Sequence, residues 1–194
     1  MIDQYSYQWF IQQFEKTKNT AEEFILSVDK NLFLKAPTED RWSIAECYSH
    51  LINYGDLYFD NISSAISVNG NTANSSNRSF PPRWLAQKII SLFEPPYKIK
   101  LKTIKSMKPV DTSGYSRMEL LDEYLNLQNR LIAELENAHQ KNVHLGRSKV
   151  SHPIFPIIKM TLSECFLLLE AHQRRHQWQA EQTLHVLKEH QVIG

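Results

Sequence analysis

The stretch from Thr161 to Leu187 decides the fold, and it reads TLSECFLLLEAHQRRHQWQAEQTLHVL. Along this stretch, residues that would share one helix face recur every three to four positions. This stripe consists of Cys165, Leu168, Leu169, His172, His176, Gln179, Thr183, Val186 and Leu187. A period near 3.6 residues is typical of an amphipathic helix. At the start of the stretch, Thr161 and Glu164 have the spacing of a capping box, in which hydroxyl and carboxylate each bond a backbone N–H. The sequence therefore predicts a helix over about 161–189.

Three further stretches have the same helical period, and they predict helices over about 3–30, 43–68 and 116–141. Two of these also begin with capping boxes, Ser43 with Glu46 and Ser116 with Glu119. Four amphipathic helices predict an all-α fold, a four-helix bundle. We expect residues 1–194 to form a single domain in which residues 70–114 are an elaboration between the second and third helices.

The elaboration has three parts. A polar loop covers 69–77, and a short apolar-periodic piece (Trp84 to Phe93) lies between the prolines at 81–82 and 95–96. Lysines then alternate with apolar residues over 97–109, which predicts an extended segment lying over the bundle. A solvated strand face explains these lysines, and a nucleic-acid patch is the alternative.

Composition excludes several classes of function. Lys and Arg number 22 against 21 for Asp and Glu, a net charge of +1, so no global field attracts nucleic acid or an anionic membrane. The longest apolar run, Phe166 to Leu169, is too short to cross a bilayer, and the first residues lack the features of a secretory leader. Two cysteines form no disulfide framework. We therefore expect a cytoplasmic protein that is bound neither to membranes nor to nucleic acid.

Three of the eight histidines occupy inward positions. His172 and His176, four residues apart, share one face of the last helix, and His50 lies on the inward stripe of the second helix. A buried nitrogen without a partner costs about 1–3 kcal/mol, so these rings need partners. One metal ion would satisfy all three, whereas the alternative is that each ring bonds a carbonyl, a water or a tyrosine. The residues alone leave both interpretations open.

Two motifs resemble those of the DinB-like superfamily, and the subgroup that includes bacillithiol-transferase-like proteins is the most similar. They are WSIAECYSHL over 42–51, which matches W-S/T-x-x-E-x-x-x-H-L, and HQRRHQWQ over 172–179, which matches H-x-x-x-H-x-x-Q. The Lys-rich segment that ends at Lys108 and Pro109 also resembles the crossover of that family. The resemblance covers nearly the whole chain.

This resemblance implies an antiparallel four-helix bundle with a long crossover between helices 2 and 3. It further implies one divalent transition metal, often zinc or nickel, held by His50, His172 and His176. Gln173 stands where relatives often have an acidic residue, which puts any carboxylate role at that position in doubt.

Three neighbours of the histidines are candidates for orienting them or lining a pocket. Gln179 matches the glutamine of the family motif, with structural packing as its alternative role. Glu46 and Tyr54 lie one turn before and after His50. The capping box already explains Glu46, and Tyr54 lines a pocket or simply packs.

Other residues favour structural roles. Cys47 and Cys165 fall on the inward stripes, where a free cysteine ordinarily serves as a small hydrophobe. Trp42 precedes a helix cap and is predicted to pack there. No glycine-rich phosphate loop, nucleophile elbow or paired-carboxylate motif is found in the sequence.

Three functions remain. An open three-histidine site is typical of catalysis or ligand binding, since structural zinc sites ordinarily have four protein ligands. The resemblance implies a metal-dependent thiol S-transferase, whose partners are a low-molecular-weight thiol and a small electrophile. A metal-dependent small-molecule hydrolase and a non-catalytic metal-binding bundle are the alternatives, so the sequence does not decide whether the protein is an enzyme. Relatives often form homodimers, and apolar residues near Trp84 and Phe93 are candidates for such an interface.

Overall fold

The computed structural model describes residues 2–70, 78–96 and 108–193. Its elements in chain order are α1 (Tyr7–Ser27), α2 (Lys30–Phe33), α3 (Ile44–Val68), α4 (Trp84–Ser91), α5 (Arg117–Gln140), β1 (Lys149–Ser151), β2 (Lys159–Thr161) and α6 (Leu162–Ile193). The strands form an antiparallel pair in which Val150 lies opposite Met160. The all-α prediction is confirmed, because the helices make up most of the described chain.

The four long helices α1, α3, α5 and α6 pack as a bundle in which α1 and α3 each contact both α5 and α6. α1 and α5 are antiparallel, since Arg117 at the start of α5 bonds the carbonyl of Val28, just after α1. α3 and α6 are antiparallel as well, because Thr183 bonds the carbonyl of Trp42 just before α3. α3 and α5 run parallel, with Tyr48 against Tyr124 and Asp56 paired to Arg130. Two parallel neighbours require a connection that returns along the bundle, about 37 Å for the 25 residues of α3.

Capping boxes fix the starts of three helices. Ser43 and Glu46 form both reciprocal bonds at α3, and Ser116 and Glu119 form both at α5. At α6, Thr161 Oγ1 accepts from the N–H of Glu164 and the carboxylate of Glu164 accepts from the N–H of Thr161. These three helices therefore begin where the sequence predicts.

The first and last helices differ from the predicted ranges. α1 is shorter than 3–30 because Tyr5 has a φ of 64° and Ser6 caps the helix by accepting from the N–H of Trp9. At its other end Val28 is extended, and the short α2 follows. α6 runs beyond residue 189 to Ile193.

The connections contain structure that the sequence analysis only partly anticipates. The apolar-periodic piece after the paired prolines forms the helix α4, whereas the β1–β2 hairpin before α6 is not anticipated. The predicted extended lysine segment falls on residues 97–107 and most of the predicted polar loop on 71–77, and both stretches lie outside the described residues. Among the helices that are described, none is long and apolar enough to cross a membrane.

The core consists of two hydrophobic clusters, one toward each end of the bundle. One cluster contains Phe10, Phe14, Tyr58 and Phe166, and the other contains Ile25, Phe33, Ile44 and Tyr124. On α6 the residues of the two clusters stop at Leu169 and resume at Ala180. Apart from Ala171, the buried residues between these two positions are polar or charged. The middle of the bundle is therefore a polar layer between two apolar ends.

Gly55 lies where α3 packs against Leu127 of α5. A Cβ at this position would lie 2.5 Å from Cδ2 and 2.9 Å from Cδ1 of Leu127, whose side chain is buried. Alanine ordinarily stabilises a helix interior by about 1 kcal/mol relative to glycine, but overpacking a core costs about 1–3 kcal/mol.

We therefore expect Gly55→Ala to lower the free energy of unfolding by up to about 2 kcal/mol, measured by urea denaturation. In a Leu127→Ala background the clash is gone, so the same change should be neutral or stabilising. A single variant that is more stable than the original chain would contradict this account of the helix contact.

Candidate metal centre

Three imidazoles from two helices converge in the polar layer. His172 Nε2 lies 3.2 Å from His50 Nε2 and 3.1 Å from His176 Nε2. His172 and His176 are one turn apart on α6, and the antiparallel packing of α3 brings His50 to the same level. Among the described residues, this trio is the group of at least three His, Cys, Asp or Glu side chains whose ligand atoms could share an ion.

The spacing of these nitrogens fits a divalent transition metal. At zinc–nitrogen distances of about 2.0–2.1 Å, tetrahedral ligands lie about 3.3 Å apart and those on one octahedral face about 2.9 Å apart. The observed 3.1 and 3.2 Å fall between the two values. A hydrogen bond between two rings explains one such contact, but each neutral imidazole has a single N–H, while His172 makes both contacts through the same nitrogen.

Electrostatics keep two of the rings in the form that binds metals. Burial lowers the pKa of His172 well below its ordinary value, and the nearby imidazoles of His176 and His50 and the guanidinium of Arg175 lower it further. Burial also lowers the pKa of His176, with smaller contributions from His50 and Arg175. Both imidazoles are therefore neutral at pH 7, as metal ligation requires.

Aromatic rings enclose the imidazoles. The Tyr54 ring lies 4.1 Å from the His172 ring between centroids, and Phe93 approaches the same ring edge-on at 5.7 Å. Trp42 stacks on His176 at 5.5 Å and lies 5.0 Å from His50. The three histidines are only 3–6% exposed, so the walls keep bulk water away from the centre.

The two other residues predicted to neighbour the histidines, Gln179 and Glu46, make different contacts. Gln179 is half-buried and hydrogen-bonds His176, which raises the pKa of that ring against the effect of burial. The carboxylate of Glu46 accepts from the backbone N–H of Ser43 at 2.7 Å, so it is engaged in the helix cap. Gln173, at the position where relatives often have an acid, is buried in the polar layer.

The positions of three further residues beside the histidines were not predicted from the sequence. Trp42 was assigned to packing, and Phe93 lies in the crossover, where no periodicity points toward the histidines. Arg175 lies three residues after His172, at the edge of the same helix face, so helical spacing was a signal that could have placed it beside the histidines. Arg175 is buried, and its guanidinium carbon lies 5.6 Å from the centre of the Phe93 ring.

Neither cysteine is poised as a nucleophile. Cys47 and Cys165 are buried free thiols on the inward stripes. Burial raises the pKa of both well above the ordinary range, so both are protonated at pH 7. Sulfur chemistry at this centre would therefore need a thiol from outside the chain.

Comparison with known proteins gives one match. A family model described as the DinB superfamily matches residues 13–180, which include all three histidines. Searches of curated proteins and of solved structures found no match. The match therefore covers the bundle and both histidine motifs.

Proposed function

Because the chain belongs to the DinB superfamily, we propose that it binds one divalent transition metal, zinc or nickel, through His50, His172 and His176. The observation that carries this proposal is the convergence of three buried imidazoles: His172 Nε2 lies 3.2 Å from His50 Nε2 and 3.1 Å from His176 Nε2, and one ligand nitrogen from each ring lies within 4.8 Å of the others. Burial of three polar rings is costly unless their nitrogens have partners, and a shared cation supplies one to each ring.

We further propose that the centre serves a thiol S-transferase that acts on small electrophiles. Three protein ligands are fewer than the four of a structural zinc site, which supports a place for an exogenous ligand. A divalent ion supplies Lewis acidity and lowers the pKa of a thiol that binds it. In the overall reaction, RSH and R′X give RSR′ and HX: a carbon–sulfur bond forms, a carbon–X bond breaks and the thiol proton leaves with X⁻.

The residues around the imidazoles support this chemistry in two ways. The rings of Trp42, Tyr54 and Phe93 exclude water, which would otherwise compete with the thiol for the electrophile. The protein's own thiols are buried and protonated, so they do not compete with the exogenous thiol.

Conjugation of thiols to an aromatic chloride tests this proposal. Protein purified without a histidine tag should contain about one transition metal per chain, measured by elemental analysis. With a panel of small thiols and a chloro-dinitro-arene, we expect turnover that falls about 100-fold or more when the metal is removed and returns when it is restored. The product is followed by its absorbance.

Other outcomes identify the alternatives. Conjugation that persists unchanged without metal would contradict the proposed role of the centre. Metal-dependent hydrolysis of an ester or amide panel without conjugation would instead indicate a hydrolase. Full metal occupancy with neither activity would indicate a non-catalytic metal-binding bundle.

A further inference from the structure

The Phe93 ring is the wall of the histidine centre that the bundle core fixes least. Tyr54 is a buried member of one apolar cluster, and Trp42 packs against the other. Within the described ranges, Phe93 packs against neither cluster. Its half-buried ring instead lies 5.7 Å from the imidazole of His172 and 5.6 Å from the guanidinium carbon of Arg175. Of the three aromatic walls, Phe93 is therefore the one whose position does not depend on either cluster.

The helix before Phe93 is tied to α6 by an ion pair at each end. No residue of α4 is buried. Arg83 pairs with Glu164 just before α4, and Glu94, the residue after Phe93, pairs with Arg174. The side chains of the second pair are 39% and 43% exposed, and ion pairs in such positions contribute little stability. The end of α4 can therefore move away from α6 without disturbing the packing of the four long helices.

The histidines are too enclosed for a ligand to approach unless a neighbouring side chain moves. The three candidate ligands are only 3–6% exposed, and a sulfur atom with its carbon substituents needs a wider opening. Displacing Tyr54 or Trp42 would disrupt an apolar cluster, whereas displacing Phe93 breaks its two ring contacts and strains one exposed ion pair. The route to the imidazoles that requires the least rearrangement therefore passes Phe93.

We propose that Phe93 lines the entry to the centre and is its specificity-determining residue, restricting the substrate to thiols whose carbon next to sulfur is unbranched. This inference rests on the proposed function, because it assumes that a thiol binds at the metal centre. Branches on that carbon lie within two bonds of the sulfur, and thus against a wall on the entry side. One methylene more or less in an apolar pocket changes selectivity by about 10- to 200-fold. The competing explanation is structural: Phe93 only covers His172, and ligands approach from another side.

Binding of two thiols to the cobalt(II)-loaded protein tests this proposal. Ethanethiol and tert-butyl thiol are both uncharged, and tert-butyl thiol has two further methyl groups on the carbon next to sulfur. The readout is the sulfur-to-cobalt charge-transfer absorption, which gives a dissociation constant for each thiol. In the original chain we expect ethanethiol to bind about 10- to 200-fold more tightly. Phe93→Ala should reduce this ratio by about 10-fold or more, and Phe93→Leu should reduce it less, because leucine restores part of the wall.

Phe155→Ala is the matched control. Phe155 also lies beside an imidazole, that of His152 at 5.3 Å, but it belongs to the connection between β1 and β2 and is 45% exposed. Its loss removes the same side chain and should leave the ratio unchanged. The intrinsic difference between the two thiols toward cobalt is the same in every variant, so a change in the ratio reports on the protein wall alone. Every variant should bind about one cobalt ion per chain, since neither phenylalanine is a ligand.

Two kinds of result separate a failure of this inference from a failure of the proposed function. A ratio near unity in the original chain, or a ratio that Phe93→Ala leaves unchanged, would overturn the role of Phe93 while the metal centre stands. A protein that binds no cobalt, or that binds cobalt but neither thiol, would overturn the proposed function and this inference with it.

Discussion

Replacing His172 with alanine is expected to abolish metal binding, so that occupancy falls from about one ion per chain to near zero. His172 is the middle member of the trio, since its Nε2 contacts both other Nε2 atoms. The two remaining imidazoles come from different helices and would form a two-ligand site, whose affinity we expect to drop by well over 100-fold, since even residues that merely support a ligand contribute 10–100-fold. Elemental analysis after dialysis against a weak chelator measures this loss.

His185→Ala is the control for a change in histidine content alone. His185 lies on α6 near its end, 67% exposed and paired with Glu189, so its loss should leave occupancy unchanged. Circular dichroism should show that both variants keep the helical fold, because the apolar clusters at both ends of the bundle are untouched. Full occupancy in a folded His172→Ala protein would disprove the ligand assignment.

The starts of the helices follow from local chemistry, and for that reason they could be predicted. In α3, α5 and α6 a hydroxyl and a glutamate three residues apart satisfy each other's backbone groups, whatever the rest of the fold does. The β1–β2 hairpin has no such signal, because strands of three residues are too short to show alternation. The late start of α1, at Tyr7 rather than near residue 3, depends on the left-handed backbone at Tyr5. The identity of this residue does not predict such a conformation.

The candidate ligands could also be predicted from spacing along the chain, whereas the residues that surround them could not. Spacing of i, i+4 places His172 and His176 together on any helix. Phe93 reaches His172 only because α4 packs against α6, a contact between distant parts of the chain that no periodicity encodes. The sequence therefore predicts that the three histidines lie close together, but it does not predict that Phe93 packs against His172.

The second substitution for which we expect a large effect, here on stability, is at Glu164. The side chain of Glu164 links the starts of α4 and α6. Its carboxylate accepts from Nε of Arg83 at 2.7 Å, from Nη2 of Arg83 at 2.8 Å and from the backbone N–H groups of Thr161 and Arg83. Burial alone would raise the pKa of Glu164, but these bonds outweigh it and lower the pKa from 4.5 to about 2. The ionised form is thus favoured in the folded state, and that preference stabilises the fold.

Glu164→Gln should therefore lower the free energy of unfolding at pH 7 by about 2–3 kcal/mol, with allowance for solvent screening of the 59% exposed Arg83. Because the folded pKa is depressed, the contribution is complete above about pH 4.5 and disappears as the pH falls through about 2. The difference in free energy of unfolding between the original chain and the variant should accordingly narrow between pH 5 and pH 2, as measured by urea unfolding at several pH values.

Glu119→Gln is the control, since Glu119 occupies the same capping position on α5 but is solvent-exposed, and its replacement should have a much smaller effect. A gap that stays constant with pH would mean that the loss comes from packing rather than from the charge of Glu164.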